Sequence, residues 1–184
     1  MPSPFQLRQA ARTLAQGGIV AYPTEAVYGL GCDPLNGLAV ERLLLLKRRP
    51  VTKGLILIAA DLQQLRPYIG LPEKEIPSRV LASWPGPHTW LLPVASHVPW
   101  WITGGQERIA VRVTAHPVAA ALCRHFGGPL VSTSANSAGK APARNPLQVR
   151  LRCPGTDLIL HGPTSGLENP TPIRDATTGE TVRP

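Results

Sequence analysis

Residues 108–134 read RIAVRVTAHPVAAALCRHFGGPLVSTS, and this stretch decides the fold. In 108–113 (RIAVRV), Ile109, Val111 and Val113 fall on one side and Arg108 and Arg112 on the other, the two-residue period of a strand with one apolar face. A helix is expected at about 117–126, with Cys123 in its apolar run, and a second strand at 129–134 (PLVSTS). Strand, helix and strand in close succession mark an α/β layered fold. Working outward, 54–60 (GLILIAA) is a buried strand, 18–22 (GIVAY) a short strand ended by Pro23, and 88–94 (HTWLLPV) another. Helices are expected at 5–16, with Phe5, Leu7, Ala11 and Leu14 sharing a face and Gly17-Gly18 as the stop, at about 38–48 behind Asn36 as N-cap, in a turn starting at Asp61, and at 73–83. WPGP at 84–87 is a rigid corner, and the tail 141–184, rich in Pro and Gly, should hold short strands and loops. One domain over residues 1–184 is the expectation.

Composition narrows the class. Hydrophobic residues make up 43% of the chain, enough for a real core, and a charged fraction of 16% argues against global disorder. The net charge of +8 favours an anionic partner: a nucleotide, RNA or an acidic surface. Cys32, Cys123 and Cys153 are scattered, without a CxxC, which fits a reducing compartment rather than a disulfide framework. No stretch approaches 18 apolar residues, and the first residues lack an apolar leader run, so neither a membrane span nor a secretory signal is expected and the cytoplasm is the expected compartment.

The chain has fifteen Arg but only four Lys, and two of those Lys fall in KRRPVTKG (47–54). Lys47, Arg48, Arg49 and Lys53 repel one another unless an anion or solvent sits among them, and the end of the preceding helix already favours cations. Two Gly-bearing, hydroxyl-bearing segments accompany the cluster, PTEAVYGLG (23–31) and STSANSAG (132–139). Together they point to a site for a phosphorylated ligand. Alternation along 131–136 puts Ser132, Ser134 and Asn136 on one face and Val131, Thr133 and Ala135 on the other. That face either lines a cleft or enters a turn, since these are ordinary loop residues too. Arg112 and Arg108 suit a carboxylate or phosphate, and equally a surface ion pair. Thr24 sits near the C-terminal end of a strand, where α/β sheets bind ligands. Tyr28 fits a ligand contact or core packing, and Glu25 an ion pair with the basic loop.

Several common sites are absent. Gly139-Lys140 is followed by Ala141, so there is no P-loop; Gly29-Leu30-Gly31 is followed by Pro34 where a dinucleotide fingerprint needs Gly; and Gly162–Gly166 carries Thr164 where a nucleophile elbow needs Ser. There is no HExxH and no Cys/His metal pattern, and the five scattered His suggest no catalytic role.

PTEAVYGLG (23–31), KRRPVTKGLIL (47–57), WPGP (84–87), AVRVTAHP (110–117) and STSANSAG (132–139), in this order, resemble the YrdC family of threonylcarbamoyl-AMP synthases. The resemblance runs from about Gly17 to about Thr181. It implies a twisted, mixed open sheet with flanking helices and a basic concave cleft. It also implies a reaction in which L-threonine, bicarbonate and ATP give threonylcarbamoyl-AMP and pyrophosphate, for modification of tRNA. Carried over by motif, Lys47 and Arg49 are the catalytic, phosphate-contacting pair; Lys53, Ser134 and Asn136 complete the ATP site; Thr24, Arg112 and Ser132 take threonine. Mg²⁺ would ride mainly on phosphate oxygens, with no protein metal ligand. The implied partners are tRNA or double-stranded RNA and the downstream threonylcarbamoyl-transfer proteins. Lys53 and Ile58 replace an Asn and a His common in longer members, Thr171 replaces a Ser, and Arg183 matches a terminal nucleotide-contacting Arg. The alternative is an RNA-binding or ribosome-assembly factor using the same basic cleft. Against it stand the absence of an RNP or KH motif and an aromatic content of only 5%.

Overall fold

The computed structural model describes residues 1–183. Its strands are β1 (Val20–Pro23), β2 (Tyr28–Gly31), β3 (Ile56–Ala59), β4 (Thr89–Pro93), β5 (Arg108–Val113), β6 (Leu130–Ser134), β7 (Leu158–Ile159), β8 (Ile173–Asp175) and β9 (Thr181–Arg183). The helices are α1 (Pro4–Ala15), α2 (Gly37–Lys47), α3 (Leu62–Leu65), α4 (Ser78–Ala82), α5 (Trp100–Thr103), α6 (Pro117–Phe126) and α7 (Pro146–Arg152). The strands form one mixed sheet in the order β7-β1-β2-β6-β3-β5-β4-β8-β9. This is the mixed open sheet with flanking helices expected from the sequence.

Local chemistry sets the helix starts. Ser3 and Gln6 form a reciprocal capping box on α1, Asn36 accepts from Ala39 N on α2, Asp61 caps α3 and Asn145 caps α7. The expected helix over 73–83 is broken. Pro77 has no N–H to give, so the chain forms a 3-10 turn at Glu73–Glu75 and then the short α4. The tail holds the unexpected α7. Phe5 is 65% exposed, and Ala10 takes its place on the buried face of α1.

Period two along the strands builds two cores. On one face Leu57, Ala59, Val111, Val113 and Val131 are buried with Ala39, Val40 and Leu43 of α2. On the other, Val20, Tyr22, Ile58 and Leu130 meet Leu7, Ala10 and Leu14 of α1 and Val118, Ala119, Leu122 and Cys123 of α6. Each fully buried Val, Leu or Ile side chain among them contributes about 1.5–3 kcal/mol. The α1/α6 layer covers only one end of that second face. Along β6 the same face passes from Leu130 to Ser132 and Ser134; along β5 it passes from Arg112 to Ala110 and Arg108. The polar residues begin where the helices stop.

The strand β2 was not expected in PTEAVYGLG, because two glycines weaken a strand on propensity. They are needed for packing. A Cβ on Gly31 would lie 2.9 Å from the Tyr22 ring and 2.6 Å from the carbonyl oxygen of Val131, and one on Gly29 would lie 3.3 Å from the same ring. Tyr22 therefore lies across both, and β2 closes on β6. Gly31→Ala should force these strands apart. The expected loss is ~1–3 kcal/mol, with Tm falling by ~2–4 °C per kcal/mol in calorimetry; an unchanged Tm would contradict this packing.

Candidate active site

At the uncovered end of the second face the sheet floors a cleft of about 350 Å³. All eight residues nominated from the sequence line it: Thr24, Lys47, Arg49, Lys53, Arg112, Ser132, Ser134 and Asn136. Arg183, Thr171 and Thr133 line it as well, so Thr133 reaches the cleft despite the alternation that pointed it away. Among the described residues five lining side chains are cationic (Lys47, Arg49, Lys53, Arg112 and Arg183), and no Asp or Glu lines the wall.

The cationic rim forms where α2 ends. Arg48 takes a left-handed conformation, φ 50°, and reverses the chain after Lys47. Lys47 is buried, and its Nζ donates to the carbonyl oxygens of Ser134 and, at 2.8 Å, Asn136, with Asn136 Oδ1 at 3.5 Å. An ammonium has three donors, and here each has a protein acceptor. Lys47 therefore stitches the end of α2 to the end of β6, a role the sequence did not show. Burial, reinforced by Arg49, lowers its pKa to about 8. Arg49 Nη2 donates to the carbonyls of Lys53 (3.2 Å) and Gly54 (2.8 Å), while its Nε is buried without a partner.

The amide of Asn136 is already committed. Its Oδ1 accepts from Ser134 Oγ at 2.6 Å, and its Nδ2 donates to the carbonyls of Ser137 (3.0 Å) and Lys140 (2.6 Å). Asn136 thus shapes the turn after β6. The picture of two hydroxyls and a free amide converging on a ligand gives way to one of hydroxyls on a braced turn.

Arg112 lies at the other end of the floor, 5% exposed. Its Nη1 donates to Thr171 Oγ1 at 2.6 Å and lies 3.8 Å from Glu25 Oε2. Glu25 therefore has Arg112, not the basic loop, as its counter-charge. Burial alone would raise its carboxyl, but Arg112 and then the Thr114 hydroxyl outweigh burial and hold it below the ordinary carboxylate range. Thr24 Oγ1 donates to Val27 O at 2.7 Å, which tightens the β1–β2 turn at the cleft edge. The partnerships of Arg112 with Thr171 and of Glu25 with Thr114 were missed: Thr171 was singled out only through the resemblance, and the alternation of Arg112 and Thr114 across a strand end was the only sequence signal for Thr114.

Arg108 pairs with Asp175 and lines a second hollow of about 340 Å³. This hollow shares Arg49, Lys53 and Arg183 with the cleft and has Leu91, Ile102 and Ala110 in its wall. Tyr28 is a core residue whose hydroxyl donates to Gly162 O at 2.6 Å. Burial pushes the Cys32 and Cys123 thiols up to about 12, so neither is a nucleophile at neutral pH.

The family signature Sua5/YciO/YrdC, described as "Telomere recombination", matches residues 12–184. This chain belongs to that family. Among its YrdC-type relatives, the threonylcarbamoyl-AMP synthase of Alkalilimnicola ehrlichii is 58% identical over 183 residues, covering 97% of this chain and 95% of the relative. The one from Halorhodospira halophila is 57% identical, covering 98% and 95%. P. abyssi Sua5 complexed with L-threonine superposes with a TM-score of 0.86 at 34% identity, over 97% of this chain and 53% of that one, so this chain spans about half of Sua5. E. coli YciO gives a TM-score of 0.83 at 28% identity, over 100% and 93%.

The Lys47 stitch in this YrdC fold has a measurable consequence. The folded pKa, about 8, lies below the ordinary 10.5, so between those values the unfolded chain binds more protons and stability rises with pH on account of Lys47. Lys47→Met should flatten that slope in denaturant unfolding across the same window; an equal slope in both proteins would show that Lys47 does not titrate there.

Proposed function

We propose that the protein is an ATP-dependent threonylcarbamoyl-AMP synthase, joining L-threonine, bicarbonate and ATP to give threonylcarbamoyl-AMP and pyrophosphate. The observation that carries this reading is the wall of the cleft: five cations and several hydroxyls converge, with no lining carboxylate. Such a wall suits a polyanion. The relatives' shared name, threonylcarbamoyl-AMP synthase, supports an enzyme over an RNA-binding or ribosome-assembly factor.

The chemistry asks little covalent work of the protein. A carbamate oxygen of N-carboxythreonine attacks the α-phosphorus, the bond from that phosphorus to the α–β bridging oxygen breaks, and pyrophosphate leaves with the electron pair. Positioning and charge neutralisation dominate such a displacement. In this reading Arg49 and Lys53 hold the phosphates by contact, Lys47 adds its charge while bracing the turn, and Ser134 and Asn136 present that turn to the nucleotide. The second hollow, with Leu91 and Ile102, suits the nucleoside end. Arg112, Thr24 and Ser132 take threonine, the guanidinium forking onto its carboxylate.

Among the described residues no group of three His, Cys, Asp or Glu could hold a metal, and the donors in the wall are hydroxyls and cations. A magnesium ion accompanying ATP therefore fits only as a passenger on phosphate oxygens, where it would offset their charge. Residues 1–184 would act as one unit in the cytoplasm. Its product would pass to threonylcarbamoyl-transfer proteins acting on tRNA, and the +8 charge suits contact with tRNA or double-stranded RNA. No helix among the described residues is long and apolar enough to cross a membrane.

Pyrophosphate release should require threonine, bicarbonate and ATP together; release that persists without threonine or bicarbonate would overturn the reading. Arg49→Ala should lower kcat/KM for ATP by about 10- to 150-fold, the worth of a charge-assisted contact of about 1.5–3 kcal/mol made in the transition state. Near-unchanged kinetics would remove Arg49 from the phosphate site.

A further inference from the structure

We propose that Glu25 is a positioning residue: it holds the Arg112 guanidinium open for a ligand carboxylate without occupying it. This rests on the reading that Arg112 receives the carboxylate of threonine. Glu25 is 4% exposed and does not line the cleft, so it acts through Arg112 and does not touch substrate.

The geometry assigns each oxygen a task. Thr114 Oγ1 accepts from the His116 backbone N–H at 3.0 Å, which leaves its own proton to donate to Glu25 Oε1 at 2.6 Å. That bond fixes one end of the carboxylate. The other end, Oε2, stops 3.8 Å from Arg112 Nη1 and is buried without a hydrogen-bond partner. At 3.8 Å no hydrogen bond forms, yet the two charges attract strongly where water is scarce. Arg112 Nη1 is instead held by Thr171 at 2.6 Å, and Arg112 Nε is buried with no partner.

A carboxylate one ångström nearer would close on the guanidinium in the two-bonded geometry that Arg prefers, and the site would be filled by its own protein. Placed where it is, Glu25 offsets the charge of the buried cation without itself closing on the guanidinium's donors. One strap ties Glu25 to Thr171. Ser165 N donates to Thr24 O at 3.3 Å and Leu167 N to Glu25 O at 3.1 Å, and the same segment runs on to Thr171.

The test is steady-state pyrophosphate release with threonine and ATP varied separately at saturating bicarbonate, on the full chain. Glu25→Gln keeps the shape and can still accept from Thr114 but loses the charge. It should raise the threonine KM by about 10- to 100-fold, the cost of a slightly misplaced group, while the ATP KM moves less than about threefold. Arg112→Lys is run beside it. If Arg112→Lys leaves the threonine KM unchanged, the threonine reading of Arg112 fails first. If Arg112→Lys raises it and Glu25→Gln does not, or Glu25→Gln raises both KM values alike, the positioning role is overturned. The double variant should be little worse than Arg112→Lys alone, since both act through one group, and full additivity would argue against the coupling. Should Glu25→Gln fail to fold, Thr114→Val decides: it frees Oε1 and should produce a smaller threonine-selective rise, and no rise would sink the proposal.

Discussion

The α1/α6 layer covers one face of the sheet over part of its length, and the rest of the molecule's chemistry depends on where it stops. Strands impose a two-residue period, so a face cannot change character unless the residues along it change. Here they do: Leu130 and Ile58 lie under α1 and α6, whereas Ser132 and Ile56, one step along the same face, line the cleft. On the opposite face Leu57, Ala59, Val111 and Val131 all lie in one core, and Thr133 near the end of β6 reaches the cleft. The cleft is therefore the unburied remainder of a core face, floored by paired strands.

A charge on a buried floor has an electrostatic cost. Arg112 sits on it with 5% exposure, and an uncompensated guanidinium so buried would destabilise the fold strongly. Glu25 supplies the compensation from behind, and the Thr114 and Thr171 hydroxyls fix the pair on either side. Lys47 solves the same problem differently, with carbonyl dipoles in place of a counter-ion. The contrast matters for function. A cation balanced by a neighbouring anion stays selective for a ligand that can outcompete a long ion pair, whereas one balanced by dipoles keeps its full charge for a polyanion. Arg112 fits the first description and Lys47 the second.

The sequence made regular elements legible where one signal sufficed. The periods in 108–113 and 117–126 gave β5 and α6, and Asn36 and Asp61 gave true helix starts. It failed where two residues distant in the chain decide the outcome. Nothing near Gly29 and Gly31 announces a strand, because the reason is the ring of Tyr22 lying over them. Pro77 was readable and outweighs the helical composition of 73–83. For the site, the eight residues nominated from residue types and motif order all line the cleft, but their bonding was not legible. Lys47 to Ser134 and Glu25 to Thr114 are separated by 87 and 89 positions, and no local pattern encodes such pairs.

The remaining question is what kind of catalyst such a site can be. Cys32 and Cys123 are thiols at neutral pH, both outside the cleft, and among the described residues no Asp or Glu side chain lines it to serve as a base. Covalent and general-base routes through those groups are closed, so rate must come from geometry and field. The cationic rim from Lys47 to Lys53 lies where the dipole of α2 ends, and Arg183 adds a cation from the last strand. On the proposed assignment, charge developing on a departing pyrophosphate would meet donors already in place, and a preorganised field needs no rearrangement at the moment of reaction. The proposed assignment would also give a reason for the hydrogen bonds that Asn136, Ser134 and Lys47 spend within one turn: a turn that had to hold still against a moving phosphate would be worth more braced than free.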